Sequence, residues 1–282
     1  VNWPQGGDRA MDLQFRCPAD VPGIDPAQPT LMRPNISEFS YGYALTSELV
    51  EFLGYKGVGA PVFPSLKDEG TLGYDVKLPG VIPVFLQFKL CDRMVSGAAN
   101  EADLLGVPHF RMHLRPLRHS DQHDLLIALE AQGNAVFYAC PEFTEPDELN
   151  DAYDKKQVLA RSMLLSPSAI GSLDGGDHHV AFLPGAPVAY VCSEPRIAER
   201  EAGREALAHA VAARSSAARV PTREYFVELT KELLSIYAVE RPQAVDLNFS
   251  EGVVPRDPRD TAALLAHSLF GCALLFAPVE GA

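Results

Sequence analysis

The sequence predicts an α/β fold, and three observations carry that prediction. Apolar residues recur at helical spacing over 38–53 and again over 121–132. Short runs at 81–90 and 135–140 are apolar or alternate in the manner of strands. A Pro79-Gly80 pair joins the first of these runs to the segment before it, because proline presets φ near the turn value and glycine then accepts a positive φ. Hydrophobic residues make up 47% of the 282 positions and charged residues 22%, so the chain has enough apolar surface for one large domain or a core with an appended part.

Taken in order, residues 1–36 read as an irregular arm rich in Pro, Gly, Asp and Asn, with one strand around Met11–Phe15. Ser37 is placed to cap a helix over Glu38–Leu53 that ends at Gly54; Tyr41, Leu45, Leu49 and Phe52 make its apolar face. A strand is expected near Val58–Phe63. Residues 73–90 then form a hairpin, with Asp75 on its first strand and Gln87 and Lys89 at the end of its second. Because side chains alternate along a strand, Gln87 and Lys89 share one face while Leu86, Phe88 and Leu90 share the other. Residues 91–110 read as a loop with a helical fragment. Ser120 caps a helix over Asp121–Gln132, closed by Gly133-Asn134, and the strand Ala135–Cys140 follows.

Beyond this core, helical patterning is expected over 145–160, loop over 161–176, and a second hairpin with strands His179–Leu183 and Val188–Cys192 about Pro184-Gly185. Helices are expected over Pro195–Ala218 and Pro221–Val239, then a linker over 241–260. A last helix over Thr261–Phe276 is apolar on most sides, which places it in the interior or at a subunit interface. The division is thus an arm (1–36), an α/β core (37–195) and a mainly helical C-terminal extension (196–282), whose helices also offer a surface for a second copy or a protein partner.

The formal net charge is −13, which disfavours a surface that grips phosphates all over and requires any nucleic-acid contact to be local. The strongest local candidate is 111–119, where Arg111, Arg115 and Arg118 stand with two histidines. Guanidinium forks match phosphate oxygens; the plain alternative is a solvated charge run paired with acids elsewhere. Five widely spaced cysteines with no CxxC pair indicate neither a zinc ribbon nor a disulfide framework, and fit a reducing cytoplasm. No leader pattern opens the sequence, and the longest apolar run is broken by His267, Ser268 and Gly271, so no membrane span is expected.

An acid, an amide and an amine on neighbouring strands suit one chemistry. Asp75 can hold a divalent cation, the Gln87 oxygen and a nearby carbonyl can complete its oxygen shell, and Lys89 can orient water or stabilise charge on a phosphate. This pattern resembles the PD-(D/E)xK nuclease family in the variant that carries Gln in place of the second acid. That family shows an Asp, then roughly ten to twenty residues, then (Asp/Glu/Gln)-x-Lys on a hairpin. Here it reads Asp75, then Gln87-Phe88-Lys89, with Tyr74 in place of the family's leading proline. The order helix, strand, hairpin, helix, strand over residues 37 to about 150 matches the family core.

The resemblance implies a restriction-endonuclease-like core, a mixed central sheet flanked by helices in the order α-β-β-β-α-β. It also implies a nuclease that uses Mg²⁺ or Mn²⁺ to hydrolyse phosphodiester bonds, DNA in the first place, in bacterial restriction, repair or anti-phage defence. In that family the first helix often supplies an acid to the metal, a role that falls on Glu38; a residue on the second helix, often a glutamine, approaches the site, which points to Gln122. Catalysis would then lie with Asp75, Gln87, Lys89 and Glu38, with Asp75, Gln87 and Glu38 as metal ligands and Arg111, Arg115, Arg118 and Gln122 meeting substrate.

Two other readings stand beside it. The same fold serves equally as a catalytically inactive scaffold or protein-binding subunit, with Asp75 and Lys89 as a structural ion pair. A metallohydrolase centred on Asp174, Asp177, His178 and His179 needs a further carboxylate from elsewhere; the plain reading of that glycine-rich run is a turn before a strand.

Overall fold

A computed structural model describes residues 31–53, 56–57, 81–97, 99–114, 122–193, 196–199, 203–214, 218–241 and 257–278. The elements run β1 (Leu31–Met32), α1 (Glu38–Leu53), β2 (Lys56–Gly57), β3 (Val81–Phe88), β4 (Cys91–Met94), α2 (Ala102–Leu105), β5 (His109–Leu114), α3 (Gln122–Ala131) and β6 (Ala135–Pro141). Then come α4 (Pro146–Asp154), β7 (Ser162–Leu165), α5 (Pro167–Ile170), β8 (His178–Phe182), β9 (Val188–Val191), β10 (Arg196–Glu199), α6 (Gly203–Ala212), α7 (Arg223–Glu240), α8 (Pro258–Phe270) and β11 (Ala273–Pro278).

The strands form two sheets. One is five-stranded, in the order β2-β11-β3-β6-β7; β3 and β6 are parallel and the other pairs antiparallel. The other is six-stranded and antiparallel, in the order β1-β4-β5-β8-β9-β10. The chain is therefore α/β with mixed sheets and helices.

β3 is buried on both faces, which is why its sequence is a near-continuous apolar run. Ile82, Val84 and Leu86 meet Tyr41, Leu45 and Leu49 of α1 and Leu207 of α6. Val81 and Phe85 belong to the second core, with α3, α7, α8 and the inner face of the six-stranded sheet, where Phe110, Met112 and Leu114 alternate. Each buried Leu, Ile or Phe of these clusters contributes roughly 1.5–3 kcal/mol relative to exposure.

Cap chemistry sets several boundaries. Ser37 Oγ accepts from the Ser40 N–H at 3.0 Å and starts α1. Asn134 donates to the Leu129 carbonyl at 3.0 Å and to Glu232 of α7 at 2.9 Å, which closes α3 and ties it to its neighbour. Thr222 accepts from Tyr225 N at the start of α7, and Asp257 from Arg259 N at the start of α8.

Five expectations are corrected. The stretch 161–176 is not only loop: it holds β7 and α5, whose apolar residues are buried. The stretch 91–110 is not a loop with a helical fragment: it holds β4, α2 and the start of β5. Charged residues on the exposed side of these strands conceal the alternation beneath them. The helix expected over 145–160 stops at Asp154, where Lys156 turns to φ 57° and the chain heads for β7. Pro195–Ala218 is not one helix: Arg196–Glu199 is drawn into the sheet against β9, and α6 follows.

Thr261–Phe276 breaks at Gly271, and Ala273–Pro278 becomes β11, lying between β2 and β3. The residues after 196 therefore include a strand of the sheet that carries Gln87, and α7 and α8 belong to its core. Met11–Phe15, Val58–Phe63, the first strand of the 73–90 hairpin and most of the 241–260 linker lie outside the described residues. No helix among the described residues is long and apolar enough to cross a membrane.

Candidate active site

The end of β3 presents Gln87 and Lys89 on the side of the sheet that faces α3 and α8. The opposite side carries Phe88 and Leu90 against the α1 cluster, as strand alternation requires. The pairing with β6 continues past the strand's end, where the Lys89 N–H donates to the Ala139 carbonyl at 2.9 Å. The backbone of Lys89 is thus fixed by its neighbour strand rather than left to a loop.

Gln122, the first residue of α3, closes over this pair. Lys89 Nζ donates to Gln122 Oε1 at 3.2 Å. Gln122 Nε2 donates to Gln87 Oε1 at 2.7 Å and to the Phe270 carbonyl at 3.2 Å. Gln87 Nε2 donates to the Phe88 carbonyl at 3.1 Å. The orientation of both amides is dictated by the lysine: an ammonium only donates, so the Gln122 oxygen must face it and the nitrogen must face Gln87. The result is a directed chain from Lys89 through Gln122 and Gln87 to a backbone carbonyl. Gln87 is 7% exposed, while Lys89 and Gln122 are partly open to solvent. The charge on Lys89 also reaches Cys272, where burial pushes the thiol up and the ammonium opposes it.

The next residue anchors α3. His123 Nε2 lies 2.8 Å from the Gly171 carbonyl and Nδ1 lies 2.9 Å from the Tyr138 hydroxyl. A carbonyl only accepts, so Nε2 carries the proton and Nδ1 accepts from the tyrosine. Tyr138 is the register partner of Gln87 on β6. The helix that carries Gln122 is therefore fastened to the strand beside Gln87.

The other sequence candidates fall in different places. Asp75, Arg115 and Arg118 lie outside the described residues. Glu38 opens α1 and is exposed, on the side of the sheet opposite Gln87: one turn on, Tyr41 meets Phe88 edge to face at 5.9 Å. Gly42 makes that approach possible, since a Cβ there would sit 2.8 Å from the Phe88 ring. The hydrogen-bonded group described here thus joins Gln87, Lys89 and Gln122 without Glu38.

Arg111 stands on the outer face of the six-stranded sheet, 3.4 Å from Glu101. Burial works to raise the Glu101 carboxyl, but His109, its own backbone and Arg111 bring it down to about 2. His113 lies 3.7 Å from Asp177, and its ring sits 5.0 Å from that of His179. Burial, then Arg111 and His113, lower the His179 pKa.

Residues 174–177 bend ahead of β8, which opens with His178 and His179. Asp174 accepts from Gly176 N at 2.7 Å and lies 3.0 Å from His178 Nε2, whose other ring nitrogen meets Ser193 Oγ. No group of three or more His, Cys, Asp or Glu side chains able to hold a metal occurs among the described residues, so the further carboxylate that a metallohydrolase centre at 174–179 requires is not found there.

Sequence reasoning missed the Phe270 carbonyl and Gly271. Their signal was the glycine interrupting the last apolar run, but nothing in its spacing tied it to β3. Comparisons with protein-family models, with curated proteins and with solved structures find no match.

Proposed function

We propose that this chain is a metal-dependent nuclease of the PD-(D/E)xK type in its glutamine variant, hydrolysing phosphodiester bonds of DNA. The observation that carries the reading is the convergence of Gln87 and Lys89 on Gln122 at the end of β3. These residues come from two elements separated by a crossover, and β3 and β6 run parallel. The donor chemistry fits a hard cation: Gln87 Oε1 and the Phe88 carbonyl are oxygens, and the negative charge would come from Asp75, since Glu38 lies on the other side of the sheet. A bound Mg²⁺ or Mn²⁺ supplies charge neutralisation on the phosphate and favours hydroxide over water. Lys89, held by Gln122, presents its ammonium to charge developing on the phosphoryl oxygens. Gln122 keeps that amine in place. Arg115 and Arg118 would supply the local positive charge that the acidic surface otherwise lacks, whereas Arg111 is already paired with Glu101.

The decisive experiment is plasmid cleavage with Mg²⁺ or Mn²⁺ by the wild type, Lys89→Ala and Asp75→Ala. Loss of cleavage in both variants, with unchanged thermal melts, supports the proposal. Equal cleavage by all three refutes it. A second reading, an inactive scaffold on the same fold, is favoured by one feature: the two amides and the amine satisfy one another. It expects no cleavage by wild-type protein under any metal.

A further inference from the structure

Gly271 joins α8 to β11 beside the candidate site. Its φ is +67°, in the left-handed region that L side chains rarely adopt, and its N–H donates to the His267 carbonyl at 2.9 Å. Backbone conformation alone explains a glycine here. The space around it says more. A Cβ built on Gly271 would lie 2.5 Å from Gln122 Nε2 and 2.9 Å from Gln87 Oε1. The volume that a side chain would fill holds the hydrogen bond that links these two amides. The carbonyl just before it, Phe270 O, is the second acceptor of Gln122 Nε2. The end of α8 thus borders the amide pair with an acceptor at one residue and a missing side chain at the next.

We propose that Gly271 is a positioning residue of this site: its lack of a side chain lets Gln122 reach Gln87 and hold Lys89. The inference rests on the Lys89–Gln122–Gln87 group proposed above as the active site. It assigns the C-terminal helix–strand junction a role in the site itself and not only in the core. Any L side chain at 271 displaces the Gln122 amide, because the atom it meets lies closer than a Cβ approaches any neighbour. The strain of a positive φ and the displacement of Gln122 are separable, since Gly185 has φ +65° and open space where its Cβ would be. Gly185→Ala carries the backbone strain without the collision.

The test is a double-mutant cycle read by thermal melting, together with the side-chain amide resonances of Gln87 and Gln122 in the full-length protein. Gly271→Ala is expected to lower Tm by roughly 2–4 °C more than Gly185→Ala, and the excess is expected to shrink in a Gln122→Ala background. Gly271→Ala should also shift both glutamine amide resonances, while Gly185→Ala leaves them in place. An equal Tm loss with Gln122 present or truncated, or unmoved amide resonances in a folded Gly271→Ala, overturns the proposal. In the cleavage assay Gly271→Ala should lower kcat by about tenfold with KM nearly unchanged. If wild-type protein cleaves nothing, the nuclease reading fails, while the melting and resonance results still decide the role of Gly271.

Discussion

Two polar regions of this protein invite comparison, and they are built on opposite principles. At the end of β3, one ammonium is held by a neutral amide, which is held by another amide and a helix-end carbonyl. On the outer face of the six-stranded sheet, basic side chains stand beside acids: Arg111 by Glu101 and His113 by Asp177. In the sequence, the second region stood out as the most basic stretch of an acidic chain, while the first carried the nuclease-like pattern. In the fold, its described charges are partly neutralised, and the first region gathers residues from three distant segments. The difference teaches that a run of like charges shows where charge is, whereas a few polar groups held by the backbone of separate elements show where chemistry can be positioned.

The largest effect should come from breaking the first region. Lys89→Ala should reduce plasmid cleavage by about 10²- to 10³-fold. Its Tm should stay within roughly 2–4 °C of wild type, since the side chain is only partly buried. A next, smaller effect is expected from Gln122→Leu. It keeps the approximate shape but removes both links of the amide chain, so the Lys89 ammonium loses its holder and cleavage should fall about 10- to 10²-fold. A loss as large as that of Lys89→Ala would mean that Gln122 itself touches substrate.

The second region is sharpened by acid. The Glu101 carboxyl is depressed from 4.5 to about 2, so its contribution to stability is present above pH 4.5 and is lost as pH falls toward 2. The lowered His179 works in the same direction, because protonating it below its ordinary 6.5 is costlier in the folded state. Glu101→Gln should therefore be less stable than wild type at pH 7, with the two melting curves converging near pH 2. A difference that grows on acidification would contradict the assignment. The smallest effect is expected for His113→Ala: its pair with Asp177 is exposed on both sides, so Tm should move by about 1 °C or less.

Much of the first region was legible because its signals are local. Ser37 and the period of Tyr41, Leu45 and Leu49 give α1 to the residue. Alternation separates Gln87 and Lys89 from Phe88, and the Gly133-Asn134 pair closes α3 within a residue of the expected place. Gln122 was named from the family resemblance, and its meeting with Gln87 depends on His123 reaching Tyr138, which no spacing rule contains. What failed was non-local. Leu274, Leu275 and Phe276 form a short apolar run that reads equally as buried helix or buried strand; only the free edge of β3 decides for strand. Arg196–Glu199 is polar enough to read as helix, and its place beside β9 overrides that preference. Masked by basic residues, Phe110, Met112 and Leu114 hid a strand of the second sheet.

The place of β11 has a consequence for biosynthesis. A ribosome delivers β3 early and β11 nearly two hundred residues later, yet the two are neighbours in one sheet. Until the later segment emerges, β3 offers an unpaired backbone edge to any passing strand, and Gln122 has no Phe270 carbonyl to lean on. Messages cut short before the codons of β11 should consequently yield sticky, incomplete chains.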